Sequence, residues 1–312
     1  MLYRDFGRTG WKVSAIGQGC WNIGNQWGEM SDETADRIIN TAYESGMNLF
    51  DVAESYGIPN GICEIRLGKA VKRFRDKIYL VSKIAWWGGR TGQNVPKTTA
   101  DMIRGCGHAC CGRLRTDYID LMLCHDGGIE DPSIYIAGFD DLKSEGFIRE
   151  YGISTDSIDV LKRFNDMSGG KCAAVECDYS LINRSPETEL FPYCTEHSIA
   201  VLARGPMAMG LLSGKYDDDT VFTDAIRQRW NEGEENRADF EQKLASVKTV
   251  QKQACPDADL ATTALRYVVS HPLNPVAIPG ATKPDQARAN ALAGESAVSE
   301  EELVRLKESI AG

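Results

Sequence analysis

Three apolar runs in this chain each close on a residue able to do chemistry: NLFD at Asp51, IYLVSK at Lys83 and IDLMLCH at His125. Tyr56 follows Asp51 within the same segment, DVAESYG. If the three runs are consecutive parallel strands, their carboxyl ends lie about 5 Å apart, and a carboxylate, an ammonium, an imidazole and a phenol converge. An ammonium beside a phenol eases loss of the phenolic proton, and a carboxylate keeps that ammonium charged and oriented. A neutral imidazole can hydrogen-bond a carbonyl oxygen and fix its direction. Together the four groups could protonate an oxygen that turns anionic as hydride reaches the adjacent carbon. No side chain supplies hydride, so such a site requires a cofactor. Taken singly, Asp51 could cap a helix, Lys83 could serve an ion pair and His125 could be a core histidine. Their joint position at strand ends favours the chemical reading.

The rest of the sequence must supply the elements that hold these groups. After a hairpin pattern (LYRDF, the GRTG turn, WKVSA), β-like runs alternate with amphipathic segments. Strands are expected at Ala15–Cys20, Asn48–Ala53, Ile78–Lys83, Ile119–His125, Arg149–Ser154, Ala173–Tyr179, Ala200–Arg204 and Val276–Gly280. Helices are expected at Asp32–Ser45, Ile62–Arg75, Thr98–Leu114, Ser133–Gly146, Ser157–Met167, Thr188–His197, Asp239–Cys255, Leu260–Ser270 and Ser299–Ile310. Ser31 followed by Asp32 and Glu33 is an N-cap pattern, and Gly46 a stop. Strands joined by single helices must run parallel, and eight such units close into an α/β (β/α)8 TIM barrel. The hairpin then plugs its amino end, extra helices follow at the C-terminus, and residues 1–312 form a single domain without a Pro/Gly/Ser-rich linker. An open doubly wound sheet competes, but Gly17-Gln-Gly19 offers only GxG where that fold carries GxGxxG. The polar excursion Lys215–Arg237 falls on the catalytic face after the seventh strand, where so long a loop reads as a lid or a solvated insertion.

Composition narrows the function classes. The chain has 312 residues, 42% hydrophobic and 26% charged, with a net charge of −10, which speaks against a general nucleic-acid binder. No apolar run reaches the roughly 18 residues of a membrane span, and the first residues lack a signal-peptide pattern; a cytoplasmic protein with no membrane partner is the expectation. Of ten cysteines, Cys20, Cys63, Cys124, Cys172, Cys177 and Cys194 sit in apolar runs and read as reduced core thiols. Cys106-Gly-His108-Ala-Cys110-Cys111 has the look of a metal cluster. On a helix, however, His108 points away from Cys106 and Cys110, and no CxxC pair exists to complete a zinc set. No metal is expected; a metal-dependent barrel hydrolase is the minor alternative.

The ordered set GMNLFDVAESYG, LVSK, TDYIDLMLCH, EGFIREYGIS, DYSLINR, RGPMAMGLLSGKY and PGATKPDQARAN resembles the aldo-keto reductase family across essentially the whole chain. The resemblance implies reduction of an aldehyde or ketone, with Tyr56 as general acid assisted by Asp51, Lys83 and His125. It also implies NADPH, or less often NADH, bound across the carboxyl face. Ser154 matches the serine that holds the nicotinamide carboxamide, although Thr155 stands where the family usually has Asn. Glu176 stands where a Gln contacts the same amide; an ionised glutamate accepts but cannot donate, so half of that recognition is altered. Arg204, Gly205, Leu211, Ser213 and Lys215 match the strand end and loop over the pyrophosphate. Gly280, Lys283, Gln286 and Asn290 match the adenosine end, with Arg288 near, and Lys283 could pair with a 2′-phosphate. The family also contains channel-associated members, so a nucleotide-binding regulatory subunit with little turnover is the alternative reading.

Trp21, Trp27, Trp86 and Trp87, with Trp230 in the excursion, are expected as substrate-pocket walls. Their amphipathic rings suit a small carbonyl compound with an apolar or sugar-like face. His125 is followed by Asp-Gly-Gly rather than the aromatic-proline pair common in relatives, which implies a more open and polar floor.

Overall fold

The computed structural model describes residues 1–89, 92–253 and 259–309. Two short antiparallel strands, β1 (Tyr3–Asp5) and β2 (Lys12–Ser14), form the opening hairpin. Eight parallel strands follow in sequence order: β3 (Gln18–Gly19), β4 (Leu49–Asp51), β5 (Tyr79–Ile84), β6 (Ile119–Cys124), β7 (Ile148–Ser154), β8 (Ala174–Asp178), β9 (Ala200–Arg204) and β10 (Val276–Ala277). Parallel bridges Ile16 to Ala277 and Gly19 to Gly280 join the first of these to the last, so the sheet closes as the (β/α)8 pattern requires.

Helices α1 (Asp32–Glu44), α2 (Ile62–Val71), α3 (Ala100–Leu114), α4 (Ser133–Ser144), α5 (Ile158–Met167), α6 (Leu190–Glu196), α7 (Arg237–Gln253), α8 (Leu260–Val269), α9 (Pro284–Ala293) and α10 (Glu300–Glu308) lie between and after the strands. Several starts are set by side-chain caps: Thr34 N–H donates to Ser31 Oγ at 3.1 Å and Met102 N–H to Thr99 Oγ1 at 3.2 Å. Each such cap contributes about 1 kcal/mol. The expected helix ends at Cys255 and Ile310 lie outside the described residues.

The barrel interior follows the two-residue period of its strands. Leu49, Val81, Leu121, Leu123, Ala174, Leu202, Val276 and Ile278 form one buried cluster, joined by Phe6 and Val13 of the hairpin. The hairpin therefore does seal the amino end, as its position in the sequence implies. Stepping two residues along each strand from this cluster reaches Asp51, Lys83, His125, Glu176, Arg204 and Gly280. Interior parity, more than any motif, points polar groups into the carboxyl mouth. The strand-to-helix layer outside forms the larger apolar cluster.

Candidate active site

At the carboxyl mouth Lys83 is wholly buried, and its Nζ donates to both Asp51 oxygens at 2.6 Å, to Val52 O at 3.3 Å and to Tyr56 Oη at 3.3 Å. Burial alone would discharge this amine. The Asp51, Glu176 and Tyr56 charges outweigh it and hold Lys83 protonated well above the ordinary lysine range. His125 meets the Tyr56 ring edge-on with centroids 5.8 Å apart, while its backbone N–H donates to Ile84 O at 2.9 Å. The structure thus brings together Asp51, Tyr56, Lys83 and His125.

Glu176 joins them more intimately than its sequence position suggests. It is 1% exposed, and its Oε2 lies 3.1 Å from Lys83 Nζ, so two carboxylates face one ammonium. Burial, and next the Glu176 charge, raise the Asp51 carboxyl well above its usual range against the pull of Lys83.

Two further residues, Gln26 and Glu54, position this centre without drawing attention in the sequence. Gln26 Oε1 accepts from Trp21 Nε1 at 2.7 Å and from Gly57 N at 2.9 Å. It thereby ties the Trp21 ring, stacked on Tyr56 at 5.6 Å, to the turn that carries Tyr56. Glu54 is buried; it accepts from Ala85 N at 3.0 Å and pairs with Lys97 at 3.3 Å. It fastens the loop after β5 to the Tyr56 turn. Position alone, within DVAESYG, was the available signal for Glu54; Gln26 offered none.

Trp21, Trp27 and Trp86 border the centre. Trp27 meets Trp21 at 5.1 Å in an edge contact, and Trp86, 43% exposed, donates from Nε1 to His125 O at 2.6 Å. Trp87 lies beside Gly61 and the Arg113 guanidinium, which sits 4.7 Å from its ring centre. Trp230 is not a pocket wall. It is 1% exposed and packs on Phe222 and Phe240, where burying its ring anchors the excursion onto α7. The excursion nevertheless reaches the centre through Arg227. That guanidinium donates to Asp224 Oδ2 at 2.9 Å and Tyr216 Oη at 2.6 Å, and lies 5.3 Å from the Trp27 ring centre.

The remaining expected residues ring the mouth. Ser154 is buried at the end of β7. Thr155 is occupied structurally, donating from Oγ1 to Gly127 O at 2.7 Å and accepting from Ser157 N at 3.1 Å; this explains a threonine there. Arg204 is engaged by Asp156 and, at 3.9 Å, by Asp178. After Gly205 (φ 65°) the chain runs through a 3-10 segment, Ala208–Ser213, in which Ala208 (φ 46°) and Met209 (φ 55°) adopt left-handed backbone. Such conformations cost of order 1–3 kcal/mol each and gather at ligand clamps. Leu211 is buried, Lys215 exposed, and the buried Ser213 Oγ has no hydrogen-bond partner among the described residues. At the last strand a Cβ on Gly280 would collide with Asn22 Oδ1. Gln286 Oε1 accepts from Thr282 N at 2.8 Å and Asn290 Nδ2 donates to Gly280 O at 3.3 Å. Lys283 is the exposed N-cap of α9.

The Aldo/keto reductase family model matches residues 15–311. The chain belongs to the aldo/keto reductase family. Among curated relatives, the uncharacterized oxidoreductase YqkF of Bacillus subtilis is 32% identical over 311 residues, covering 98% of this chain and 96% of that protein. Among solved structures, the holo form of aldo-keto reductase AKR11C1 from Bacillus halodurans superposes with a TM-score of 0.82 at 31% identity, covering 99% of this chain and 96% of the other. An aldo/keto reductase from Klebsiella pneumoniae, solved in complex with NADP and acetate, matches with a TM-score of 0.71 at 27% identity over 97% of this chain and 93% of its own. As an aldo-keto reductase the chain is an oxidoreductase. Among the described residues no grouping of His, Cys, Asp and Glu could hold a metal ion, and no helix is long and apolar enough to cross a membrane. The Cys106, Cys110 and Cys111 thiols are neutral helix residues: burial pushes Cys106 and Cys111 up to about 11 and raises Cys110 well above the usual thiol range.

Proposed function

We propose that this aldo-keto reductase reduces a small aldehyde or ketone with NADPH, Tyr56 acting as general acid, within one (β/α)8 domain. The observation that carries the reading is the Lys83 ammonium 3.3 Å from Tyr56 Oη while bound to both Asp51 oxygens at 2.6 Å. A reduced nicotinamide dinucleotide, when bound, supplies the hydride.

The residues present fit such a group. The unpartnered Ser213 hydroxyl and Lys215, beside the strained turn at Ala208 and Met209, suit its pyrophosphate, and Lys283 at the start of α9 suits a phosphate on the adenosine. Ser154 and Glu176 would meet the carboxamide. The presence of Lys283 supports NADPH over NADH.

Tyr56 donates its phenolic proton to the substrate oxygen, leaving a phenolate that the adjacent Lys83 ammonium stabilises. Asp51 holds that ammonium charged and aimed. His125 receives the carbonyl oxygen and sets its direction, while Trp21, Trp27 and Trp86 exclude water and offer an apolar face. The Asp126-Gly127-Gly128 segment beside His125, half-buried at Asp126 and Gly127 and exposed at Gly128, carries no bulky side chain and leaves room for a hydroxylated substrate such as a sugar-like carbonyl.

Nicotinamide absorbance followed with a panel of small aldehydes, ketones and sugars tests this. Wild type should consume NADPH, and Tyr56→Phe should lower kcat by several orders of magnitude with little change in NADPH affinity. Unchanged turnover in Tyr56→Phe would remove the phenol from the mechanism.

A further inference from the structure

Two carboxylates sharing one ammonium in a sealed pocket leave a net negative charge with no water to disperse it. Asp51 accepts from Lys83 Nζ on both oxygens, while Glu176 Oε2 lies 3.1 Å from the same nitrogen and, among the described residues, has no hydrogen-bond partner. Both carboxyls therefore crowd a single nitrogen, Asp51 at 2.6 Å and Glu176 at 3.1 Å, each buried away from water. Two ionised carboxylates so placed repel each other with little solvent to screen them, which favours a proton on one of the two. The groups on neighbouring elements relieve the excess only in part. Arg204 on β9 feels the Glu176 charge but is engaged first by Asp156 and Asp178. Cys20, beyond β3, is a neutral thiol, held so first by burial and then by Asp51. Tyr56 beyond β4 and His125 beyond β6 complete the surroundings.

We propose that Asp51 and Glu176 hold one proton between them beside Lys83, and that this proton leaves when a cationic, oxidised nicotinamide binds but stays when the neutral, reduced form binds. Glu176 is then a positioning and charge-setting residue, one that a glutamine could not replace. When the proton sits on Glu176 and turns from Asp51 towards the ring, the Glu176 carboxyl donates as well as accepts, so a carboxamide is recognised as an amide side chain would recognise it. With the proton gone, Asp51 and Glu176 carry two charges against one ammonium, and the surplus charge favours a cationic ring. The second half of the proposal rests on the cofactor reading above; the first half does not.

The test has two arms. Infrared spectra of the nucleotide-free protein at neutral pH, wild type minus Glu176→Gln, should show a protonated-carboxyl stretch that shifts in heavy water and vanishes at alkaline pH. Other buried carboxyls, such as Glu64 and Asp120, cancel in the difference. Absence of the band overturns the shared proton. In the second arm, NADP+ and NADPH are titrated into wild type by tryptophan fluorescence across pH. The ratio of their Kd values should shift towards NADP+ with rising pH, by up to about tenfold per unit for one released proton. The 2′-phosphate is common to both nucleotides and drops out of the ratio. Glu176→Gln should flatten the ratio, whereas a purely structural role for Glu176 would weaken both nucleotides alike and leave the ratio sloping. A flat wild-type ratio overturns the charge coupling without need of any variant. Failure of both nucleotides to bind wild type removes the cofactor reading and the coupling together, while the infrared band still decides the shared proton.

Discussion

The Lys83 centre and the rim of the mouth are built on opposite principles. At the centre, each charge is buried and already partnered: Lys83 with Asp51 and Glu176, Glu54 with Lys97. At the rim, Lys215, Lys283 and Arg288 are exposed and, among the described residues, make no ion pair, while Ser213 Oγ is buried and unpartnered. The centre is set before anything binds; the rim is completed by what binds. Chemistry that depends on a proton held at one atom needs the first arrangement, whereas capture of a large flexible anion needs only the second.

Breaking the centre should therefore cost fold and activity together. Lys83→Met leaves Asp51 and Glu176 without their ammonium. Loss of one partner of a buried pair costs about 3–5 kcal/mol, so a large drop in Tm and a fall in kcat of several orders of magnitude are expected from calorimetry and steady-state rates. Glu54→Gln removes the charge that holds Lys97 and weakens the bond to Ala85 N. It should cost about 1–3 kcal/mol in denaturant unfolding and lower kcat through the Tyr56 turn, with cofactor affinity little changed.

Changes at the rim should sharpen the contrast by leaving stability alone. Lys215→Ala and Lys283→Ala should each weaken NADPH binding by several-fold, more at low salt than at high, with Tm within about 1 °C of wild type. Lys283→Ala should affect NADPH more than NADH. The smallest effect belongs to the half-exposed Asp32 carboxyl, which joins α1 to α2. Lys69 and Arg66 hold the Asp32 carboxyl down at about 2. A depressed carboxyl contributes stability above its unfolded value that is lost as pH falls through the folded one. Asp32→Asn should thus blunt the loss of stability between about pH 4 and pH 2, and solvent screening keeps that change small.

The sequence made the barrel legible because strand parity and helix caps are local. Val81 and Lys83, or Leu121, Leu123 and His125, announce an interior face that ends in a polar residue. Ser31 announces a helix start, and its Oγ does accept the Thr34 N–H. What could not be read was which residues meet across the mouth. Glu176 was visible as a departure, but its contact with Lys83 joins β8 to β5, and no spacing encodes that. Gln26 looks like any loop glutamine until folding brings Trp21 and Gly57 to its one oxygen. Trp230 shares the amphipathic character of Trp21, and only packing against Phe222 and Phe240 separates a core ring from a pocket wall. Thr155 stands in an otherwise familiar position because the loop at Gly127 needs its hydroxyl.

The most direct test of the account is a single turnover. The protein is loaded with one equivalent of NADPH and mixed with an accepted carbonyl compound, and nicotinamide absorbance is followed in wild type and Tyr56→Phe. The account predicts a single oxidation phase in wild type that slows by orders of magnitude in Tyr56→Phe at equal occupancy of NADPH. Equal rates in the two proteins would contradict it, since the proton would then come from a group other than the phenol beside Lys83.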